Sequence, residues 1–322
     1  MTSAASQPLV SVVIPCFNQA RFLPTSLGSV FAQTWRAVEA IVVDDGSTDD
    51  TAEVAALLGA TVMSQPNRGL SEARNAGLSA ARGEYVVFLD ADDELLTEAL
   101  EAGVAALEAT PEAALSVGRC LAMDADGRPL PAPQYPVDPD HLYAEWLVRN
   151  FVWTPGAAMF RRGALQDLGG FPAGLGPAAD YALYLQLARR GAVVYQERNL
   201  VRYRQHAASM SRDCSLMLRT TLQALRRERA TADPVHRPAI RRGERAWRTY
   251  YGEEILENLK MDLAAGRFGR QQADAAWVLL RHAPGFIARR AVQKLRRPLG
   301  VSAATPPNGE HGEAVRRPGT TR

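Results

Sequence analysis

The chain has 322 residues, of which 47% are hydrophobic and 22% charged, and this composition excludes a chain that is disordered throughout. The formal net charge is +2, yet residues 1–280 hold 28 basic and 33 acidic residues, whereas residues 281–322 hold nine basic and two acidic ones. The basic C-terminal part predicts contact with an anionic surface, most simply phospholipid, and the absence of a recognised nucleic-acid-binding motif argues against nucleic acid as a partner.

Short β-branched runs alternate with stretches of helical period through the first ninety residues, which predicts parallel strands joined by helical crossovers. The predicted strands are Leu9 to Cys16, Val38 to Asp44, Ala60 to Ser64 and Tyr85 to Leu89. The predicted helices between them are Ala20 to Gln33, Asp49 to Leu58 and Leu70 to Ala81. Runs such as VSVVI and AIVVD are apolar on both sides, as expected of strands buried on both faces of a sheet.

The second half of the chain predicts fewer strands and then none. From Thr97 the expected elements are a helix to Ala109, a strand from Leu115 to Met123, a helix near His141 to Arg149, a strand near Ala157 to Phe160 and a helix near Ala178 to Arg190. From Ser215 the helical pattern takes over, with expected helices Ser215 to Arg227, Pro238 to Ala264, Gln271 to His282 and Pro284 to Arg297. We therefore predict an α/β domain in residues 1–211, a helical region in residues 212–300 and a disordered tail in residues 301–322.

The cysteines and the ends of the chain indicate a compartment. Cys16, Cys120 and Cys214 have no metal-binding spacing, and their odd number argues against a disulfide framework, so we expect a reducing environment. The first residues have no basic stretch ahead of an apolar run, so a secretory signal is not expected. The most apolar late segment is interrupted by charged residues and by Pro284, which leaves it short of the roughly 20 apolar residues that cross a bilayer. These features predict a cytoplasmic protein.

Two predicted strands end in carboxylates. IVVDDGSTDD gives Asp44 and Asp45, and VVFLDADD gives Asp90, Asp92 and Asp93. Because ligands of open α/β sheets bind at the carboxyl ends of the strands, these acids are expected on one rim. Clustered carboxylates repel one another by about 1 kcal/mol per pair at 4 Å in water, which favours a bound Mg²⁺ or Mn²⁺. The alternative is that both segments are solvated turns whose side chains cap helices, and the residues alone leave both interpretations open.

Five segments occur in this order along the chain: VSVVIPCFNQARFLPTSLGSVFAQTW, EAIVVDDGSTDDTAEVA, NRGLSEARNAGLSAARGEYVVFLDADD, GGFPAGLGPAADYALYLQLARRG and LVRYRQHAASMS. Together they closely resemble family 2 glycosyltransferases, which are inverting enzymes with the GT-A fold. The resemblance is strong over residues 9–93 and reaches about residue 211. It implies a GT-A nucleotide-diphospho-sugar transferase fold, a mainly parallel Rossmann-like sheet flanked by helices, with the helical region as a C-terminal appendage.

The resemblance also implies roles for individual residues. The residues matching the nucleotide-sugar-binding positions are Pro15, Phe17, Asn18, Asp44, Asp45, Arg74, Asn75, Asp90 and Ala91. Asp90 and Asp92 match the Asp-x-Asp motif that holds Mn²⁺ or Mg²⁺ at the donor diphosphate. His206 aligns with a histidine that would be an extra metal ligand or a diphosphate contact, and the alternative is a structural histidine.

An inverting transfer requires a base that takes the proton from the acceptor hydroxyl. The family supplies this base as the Asp of a Glu-Asp pair before a helix, and the aligned pair here is Ala179-Asp180, so Asp180 is the implied base. The missing Glu affects the expected positioning of the acceptor. Trp153 and the loop Gly169 to Gly176 are candidates for the acceptor pocket, although a core position for Trp153 is the alternative.

These expectations combine into an inverting, metal-dependent glycosyltransferase that moves a sugar from a nucleotide-diphosphate donor to a glycan or lipid-linked acceptor, in bacterial polysaccharide or glycolipid assembly. One alternative is a sugar-nucleotide nucleotidylyltransferase, but such an enzyme would carry a glycine-rich loop after the first strand, where PCFNQARF has no glycine. The other alternative is a non-catalytic nucleotide-sugar-binding protein, which would be expected to have lost the metal pair or the base.

The last predicted helices mix apolar with basic side chains. The apolar members are Trp277, Val278, Leu279, Leu280, Phe286, Ile287, Val292 and Leu295, and the basic ones are Arg281, Arg289, Arg290, Lys294, Arg296 and Arg297. One interpretation is a peripheral element on the inner face of the cell membrane. The other is a helix that packs on the catalytic domain and exposes an arginine-rich face.

Overall fold

The structure, a computed structural model, describes residues 7–132, 135–206 and 209–296, with the side chains of residues 293–296 left aside. Its centre is one mixed sheet. The strands are β1 (Val10–Cys16), β2 (Val38–Asp44), β3 (Thr61–Ser64), β4 (Tyr85–Phe88), β5 (Glu94–Leu95), β6 (Ala113–Met123), β7 (Pro129–Leu130), β8 (Ala158–Arg161) and β9 (Ala192–Arg204). Their spatial order is β3-β2-β1-β4-β8-β6-β9-β5, and β7 pairs with β6 beside this path.

Helices cover the sheet and then continue beyond it. They are α1 (Leu23–Phe31), α2 (Thr51–Leu57), α3 (Leu70–Ala80), α4 (Ala99–Ala109), α5 (Leu142–Val148), α6 (Arg162–Leu168), α7 (Ala179–Arg190), α8 (Cys214–Thr231), α9 (Arg237–Ala264), α10 (Arg270–His282) and α11 (Pro284–Arg296). The α/β fold class predicted from the sequence is confirmed. All the predicted helices are present, and most of their ends lie within about three residues of the predicted positions.

The first half of the sheet is parallel and places the carboxylates on one edge. β1 pairs in parallel with β2 on one side and with β4 on the other, and Cys16 lies opposite Asp44 at the carboxyl end. All seven residues of β1 and all four of β4 are buried, which explains why both strands are apolar apart from Ser11. The ends of β2 and β4 therefore flank the end of β1, as the positions of the acids predicted.

Helix α3 lies unusually close to this part of the sheet. A Cβ atom on Gly77 would lie 2.3 Å from Cγ1 of Val13, so glycine is the residue that allows the contact. The first turns of α3 are thereby held near the carboxyl edge of β1. This close contact brings Arg74, one turn before Gly77, to the rim that carries the acids.

The second half of the sheet is mixed. β8 pairs antiparallel with β4 and with β6, whereas β6 and β9 run parallel over most of their length. Strand β9 and helix α6 were not predicted from the sequence. β9 carries Glu197, Arg198 and Arg202 on its exposed side, and its pairing with β6 contains register shifts, so its sequence lacks a regular alternation of apolar and polar residues.

The C-terminal helices pack on the α/β part. A Cβ on Gly243 of α9 would lie 1.8 Å from the backbone oxygen of Leu147 in α5, and Phe286 of α11 packs against Gly252 of α9. Val278 and Leu279 are also buried, as expected of helices that pack on the catalytic domain, whereas Trp277, Leu280 and Val292 are exposed. The interpretation as a peripheral membrane element stays a prediction. No helix within the described residues is both long and apolar enough to cross a bilayer. The predicted tail of residues 301–322, the side chains of residues 294–296 and Arg297 lie outside the described part.

Candidate active site

A cavity of about 590 Å³ opens at the carboxyl edge of the parallel strands. Ten residues predicted from the sequence lie in its wall: Pro15, Phe17, Asn18, Asp45, Arg74, Asp90, Ala91, Asp92, Asp180 and His206. Trp153 lies there as well, but Asp44 and Asn75 do not. Acids that are distant in the sequence thus share one cavity, although two predicted contacts face elsewhere.

The two acids after β2 have different surroundings. Asp44 is buried, and its Oδ1 accepts the backbone N–H of Ser47 at 2.9 Å, which closes the turn after the strand. Asp45 faces the cavity while its carboxylate accepts the backbone N–H groups of Arg68 at 2.9 Å and Gly69 at 2.8 Å. The Asp45 carboxylate is buried as well and also accepts Nε2 of Gln65 at 2.7 Å, so it is fixed to the loop before α3 within the cavity wall.

The loop after β1 is joined to the loop after β2 by Asn18. Asn18 has a φ of 56°, in the left-handed region that asparagine tolerates better than most residues. Its Oδ1 accepts the backbone N–H of Thr48 at 2.8 Å, and its own N–H donates to Oγ of Ser47 at 2.9 Å. This geometry leaves the neighbouring Phe17 about half exposed at the cavity, beside Pro15.

Asn75 connects α3 to the glycine-rich loop. Its Nδ2 donates to the backbone oxygen of Phe171 at 3.0 Å, and its Oδ1 accepts the N–H of the same residue at 2.7 Å. A Cβ on Gly170 would lie 2.3 Å from the Asn75 side-chain oxygen, and Gly170 has a φ of +80°. The amide of Asn75 is thus fully used in holding the loop.

Arg74 is one of three arginines in the cavity wall, with Arg21 and Arg204. Its side chain is 3% exposed, and Nη2 donates to Oδ1 of Asp90 at 2.6 Å. Burial alone would lower the pKa of Arg74, but the charges of Asp90 and Asp180 outweigh burial and raise it. The guanidinium also lies 5.0 Å from the centre of the Phe171 ring. Arg74 therefore links, through its charge, the acid after β4 to the acid that begins α7.

The three acids after β4 divide into two groups. Burial raises the pKa of Asp90, the Arg74 charge opposes this rise, and the Asp92 charge adds to it. Asp93 is buried away from the cavity wall, where its carboxylate accepts Oγ1 of Thr154 at 2.6 Å. Burial, with the charges of Asp92 and Asp90, raises the pKa of Asp93 well above its ordinary value. Asp93 thus has a structural position, whereas Asp90 and Asp92 face the cavity.

The end of β9 contacts the same turn. Nε2 of His206 lies 2.8 Å from Oδ2 of Asp92, and the imidazole stacks on the ring of Phe22 with the centres 5.5 Å apart. Arg204 donates through Nε to the backbone oxygen of Asp92 at 2.8 Å. The predicted metal ligand His206 is therefore beside the predicted ligand Asp92, held there by ring stacking.

Asp90, Asp92 and His206 are the candidate ligands for a divalent ion. No three or more His, Cys, Asp or Glu side chains of the described chain form a group arranged to hold a metal ion. Mg²⁺ in nucleotide sites, however, is commonly bound through one or two carboxylates together with substrate phosphates and water. Burial, followed by the charges of four carboxylates that include Asp90 and Asp92, raises the pKa of the Cys16 thiol, which indicates a negative field at this edge. The residues therefore fit an ion that is shared with a bound diphosphate.

Asp180 lies in the first turn of α7. Its Oδ1 accepts the backbone N–H of Tyr181 at 2.7 Å, and its side chain lines the same cavity as Asp90 and Asp92. Ala179, which stands where the family has Glu, is 1% exposed. Ala179 therefore provides no second carboxylate beside Asp180.

Part of the cavity wall comes from the helical region and was not predicted. Its members are Met217, Thr221, Trp247 and Tyr251. Trp247 stacks on Tyr251 with the ring centres 5.4 Å apart and meets Tyr181 edge-on at 6.1 Å. The i, i+4 spacing of Trp247 and Tyr251 was the available signal, since it places two aromatic side chains on one face of α9. The helical region thus completes the cavity on the side of Asp180.

Comparison with known proteins gives three findings. Residues 11–169 match the sequence model of Glycosyl transferase family 2. The chain is 41% identical over 105 residues to the uncharacterized glycosyltransferase YibD of Escherichia coli, a match covering 29% of this chain and 30% of that protein. It is 28% identical over 268 residues to the uncharacterized protein MT1568 of Mycobacterium tuberculosis, which covers 75% of this chain and 82% of that protein.

A solved structure supports the fold. The mannosyltransferase PcManGT of Pyrobaculum calidifontis, in complex with GDP-Man and Mn²⁺, superposes with a TM-score of 0.59 at 19% identity and covers 91% of this chain and 82% of that one. The predicted GT-A fold with a helical C-terminal region is confirmed by this likeness and by the family match.

Proposed function

We propose, from the match of residues 11–169 to the sequence model of Glycosyl transferase family 2, that the chain is an inverting, metal-dependent glycosyltransferase. It moves a sugar from a nucleoside-diphosphate sugar to the hydroxyl of a glycan or lipid-linked acceptor. The observation that carries the proposal is the single cavity whose wall contains Asp45, Asp90, Asp92 and Asp180. In this proposal Asp45 binds the nucleoside, Asp90 and Asp92 bind a cation, and Asp180 is the base, all within one site.

The donor binds along the ends of β1, β2 and β4. The Asp45 carboxylate accepts hydrogen bonds from the nucleoside, and the exposed ring of Phe17 provides an apolar surface beside it. Arg74 provides a guanidinium for the diphosphate, whose paired oxygens match its donor geometry. Asn18 and Asn75 act one step away, since their side chains hold the loops on either side of the donor.

Asp90 and Asp92, with His206 beside them, would hold Mn²⁺ or Mg²⁺. When bound, the ion supplies Lewis-acid stabilisation of the negative charge on the leaving diphosphate. The protein's own part is to keep two carboxylates on one side of the cavity, with Arg74 and Arg204 fixing the turn that carries them.

Asp180 takes the proton from the acceptor hydroxyl as the new bond forms. The wall beyond it is apolar and aromatic, with Trp153, Tyr181 and Trp247, and excludes water from the proton transfer. Attack from the Asp180 side, opposite the diphosphate, inverts the anomeric carbon.

A donor panel tests the binding half of the proposal. UDP-, GDP- and dTDP-sugars are added with Mn²⁺, and the melting temperature is measured for the wild type and for Asp45→Asn. We expect one nucleotide class to raise the melting temperature of the wild type and to act more weakly on the variant. If no donor stabilises the wild type, the binding assignment fails.

A transfer assay tests the catalytic half. With the donor found above, we expect Asp180→Asn to keep donor binding and lose at least about 100-fold in transfer and donor hydrolysis, the size of a general-base effect. Asp167→Asn, an exposed acid of α6, is the matched control and should keep wild-type rates. Proton NMR of the product gives the anomeric configuration. Transfer of a nucleotidyl group to a sugar phosphate would instead indicate a nucleotidylyltransferase, and binding without turnover a non-catalytic protein.

The setting of the reaction is also part of the proposal. We place the enzyme in the cytoplasm, in peripheral contact with the inner face of the cell membrane, where polysaccharide and glycolipid precursors are assembled. The basic C-terminal part of the sequence supports this setting.

A further inference from the structure

One face of α10 is exposed along its whole length. Its members, which fall within an arc of roughly 120° on a helix with 3.6 residues per turn, are Arg270, Ala273, Asp274, Trp277, Leu280 and Arg281. Val278 and Leu279 on the other side are buried against the protein. The helix therefore has no partner, within the described residues, on the side that carries its tryptophan.

The apolar side chains on this face are large and open to solvent. Trp277 is 62% exposed and Leu280 is 59% exposed, and Phe268, just before the helix, is exposed as well. Tryptophan is enriched where one side of a residue is apolar and the other is wet, as at the surface of a bilayer. Exposed single leucines are common, but an exposed Trp-Leu pair on one helix face, with a third large apolar residue exposed before the same helix, calls for a partner.

Positive charge is concentrated beside this pair. Burial lowers the pKa of His282, and the charges of four arginines lower it further: Arg281, Arg226, Arg219 and Arg248. Arg281 lies one turn after Trp277 on the same face of α10, and Arg219 of α8 lines a cavity together with Asp274 and Val278 of α10. Arg226 follows Arg219 by seven residues and therefore lies on the same face of α8. Arg219, Arg226 and Arg281 are exposed and form no ion pair with any described residue, whereas Arg248 pairs with Glu244.

We propose that the docking face, defined as Arg219, Arg226, Trp277, Leu280 and Arg281, binds the surface of an anionic lipid bilayer. The arginines meet the lipid phosphates, and the Trp277 and Leu280 side chains enter the boundary between headgroups and acyl chains. A second copy of this chain fits the face less well, because a two-fold contact would place the same arginines against one another. The occupant is therefore a lipid surface.

The position of the face matters for the acceptor, and this step rests on the proposed function. A second cavity of about 810 Å³ lies between Met210–Arg212, α8, α9 and α10, and it includes Arg219 and Val278. It shares Ser209 and Met210 with the first cavity. Docking through α8 and α10 thus brings the bilayer beside an opening that is adjacent to the candidate active site, where a lipid-linked acceptor would enter.

Vesicle flotation tests the docking face directly. The full chain is mixed with phosphatidylcholine vesicles, or with vesicles containing about 30% phosphatidylglycerol, and floated on a density gradient. We expect flotation with the anionic vesicles, with loss in about 0.5 M NaCl because salt screens the charges. Arg226→Glu/Arg281→Glu should weaken binding by about 30-fold or more, and Trp277→Ser/Leu280→Ser should also remove it.

The matched control also replaces two arginines and two large apolar residues, at positions far from the docking face in the sequence. It combines Arg36→Glu, Arg198→Glu, Leu57→Ser and Leu58→Ser, all at exposed positions. We expect this variant to float like the wild type. An equal loss in the control, or a wild type that ignores anionic vesicles, overturns the proposal.

Trp277 provides a second readout. Brominated lipids should quench part of the tryptophan fluorescence of the vesicle-bound protein, and Trp277→Phe should abolish that part. Two measurements test other occupants of the docking face. In sedimentation without lipid, a wild-type dimer that Trp277→Ser/Leu280→Ser turns into a monomer would overturn the proposal. An Arg226→Glu/Arg281→Glu variant that loses oligonucleotide binding but keeps vesicle binding would also overturn it. Flotation needs no sugar donor, so the two proposals can fail separately. A protein that transfers sugar but does not float with anionic vesicles contradicts this inference. A protein that floats but transfers no sugar contradicts the proposed function.

Discussion

The ion pair between Arg74 and Asp90 allows the electrostatics of the cavity to be measured without a substrate. The two side chains are 3% and 29% exposed, and Nη2 and Oδ1 are 2.6 Å apart. Removing one member of a buried pair costs about 3–5 kcal/mol because the other charge is left uncompensated. Because Asp90 is partly exposed, we expect Arg74→Gln to lower the free energy of unfolding by about 3 kcal/mol, the lower end of this range. Asp90→Asn should cost about 2 kcal/mol, since Asp180 still faces the guanidinium.

The double variant Arg74→Gln/Asp90→Asn gives the coupling. With neither charge of the pair left buried alone, we expect it to be destabilised by about 3 kcal/mol rather than the additive 5, a coupling of about 2 kcal/mol. The free energies of unfolding are measured by urea denaturation in the absence of divalent ions. The exposed pair Arg198 and Glu98 is the control, with an expected coupling below about 1 kcal/mol. A coupling below about 0.5 kcal/mol at Arg74 and Asp90 would refute the pairing.

Mn²⁺ extends the same experiment. In the wild type an ion at Asp90 competes with the guanidinium, whereas in Arg74→Gln the two cavity-facing carboxylates have lost that cation. We therefore expect added Mn²⁺, without donor, to raise the melting temperature of Arg74→Gln more than that of the wild type. Asp90→Asn/Asp92→Asn should remove the rise, and an equal rise in all proteins would mean that the ion binds elsewhere.

Three further predictions concern the scaffold. Glu228→Gln should lower the free energy of unfolding by about 2 kcal/mol, because the buried Glu228 carboxylate of α8 accepts Nε of Arg189 at 2.7 Å; an unchanged urea midpoint would contradict this. Gly243→Ala should destabilise by about 3 kcal/mol in the same assay, since a Cβ 1.8 Å from the Leu147 oxygen outweighs the roughly 1 kcal/mol that alanine gains within a helix. The pKa of His282 is lowered from 6.5, so the unfolded chain binds the proton more readily and stability falls as the pH drops through that value; His282→Gln should show a smaller loss of melting temperature between neutral and acidic pH.

The sequence predicted the parallel half of the fold well because its strands are buried on both faces. β1, β2 and β4 are mainly apolar runs, and β2 and β4 lead directly into acids, so the type, direction and ends of all three strands could be predicted to within a residue. β9 could not be predicted in this way, because its exposed charges and register shifts hide the alternation of a strand. The two residues of β5 are too short to give any period.

For the site, the sequence predicted which residues meet better than it predicted where their side chains point. Asp45 and Asp92 lie in the cavity wall as expected, but Asp44 closes a turn and Asn75 holds the glycine-rich loop. A motif fixes residue type and spacing, whereas the direction of a short polar side chain depends on which backbone group is nearest after folding. Asp93 is a further example, because it follows the same strand as Asp90 and Asp92 and yet is buried outside the cavity wall.

The origin of the cavity wall explains why one side of it could be predicted from the sequence and the other could not. Asp45, Asp90 and Asp92 follow strands closely, so each lies in a recognisable local pattern. The side beyond Asp180 is built by Trp247 and Tyr251, which reach the cavity because α9 packs on α5 through Gly243. A change in that helix packing would move the aromatic wall without altering any strand-end motif. We therefore expect exchange of α9 side chains at this wall to change the acceptor range while leaving donor-dependent stabilisation intact.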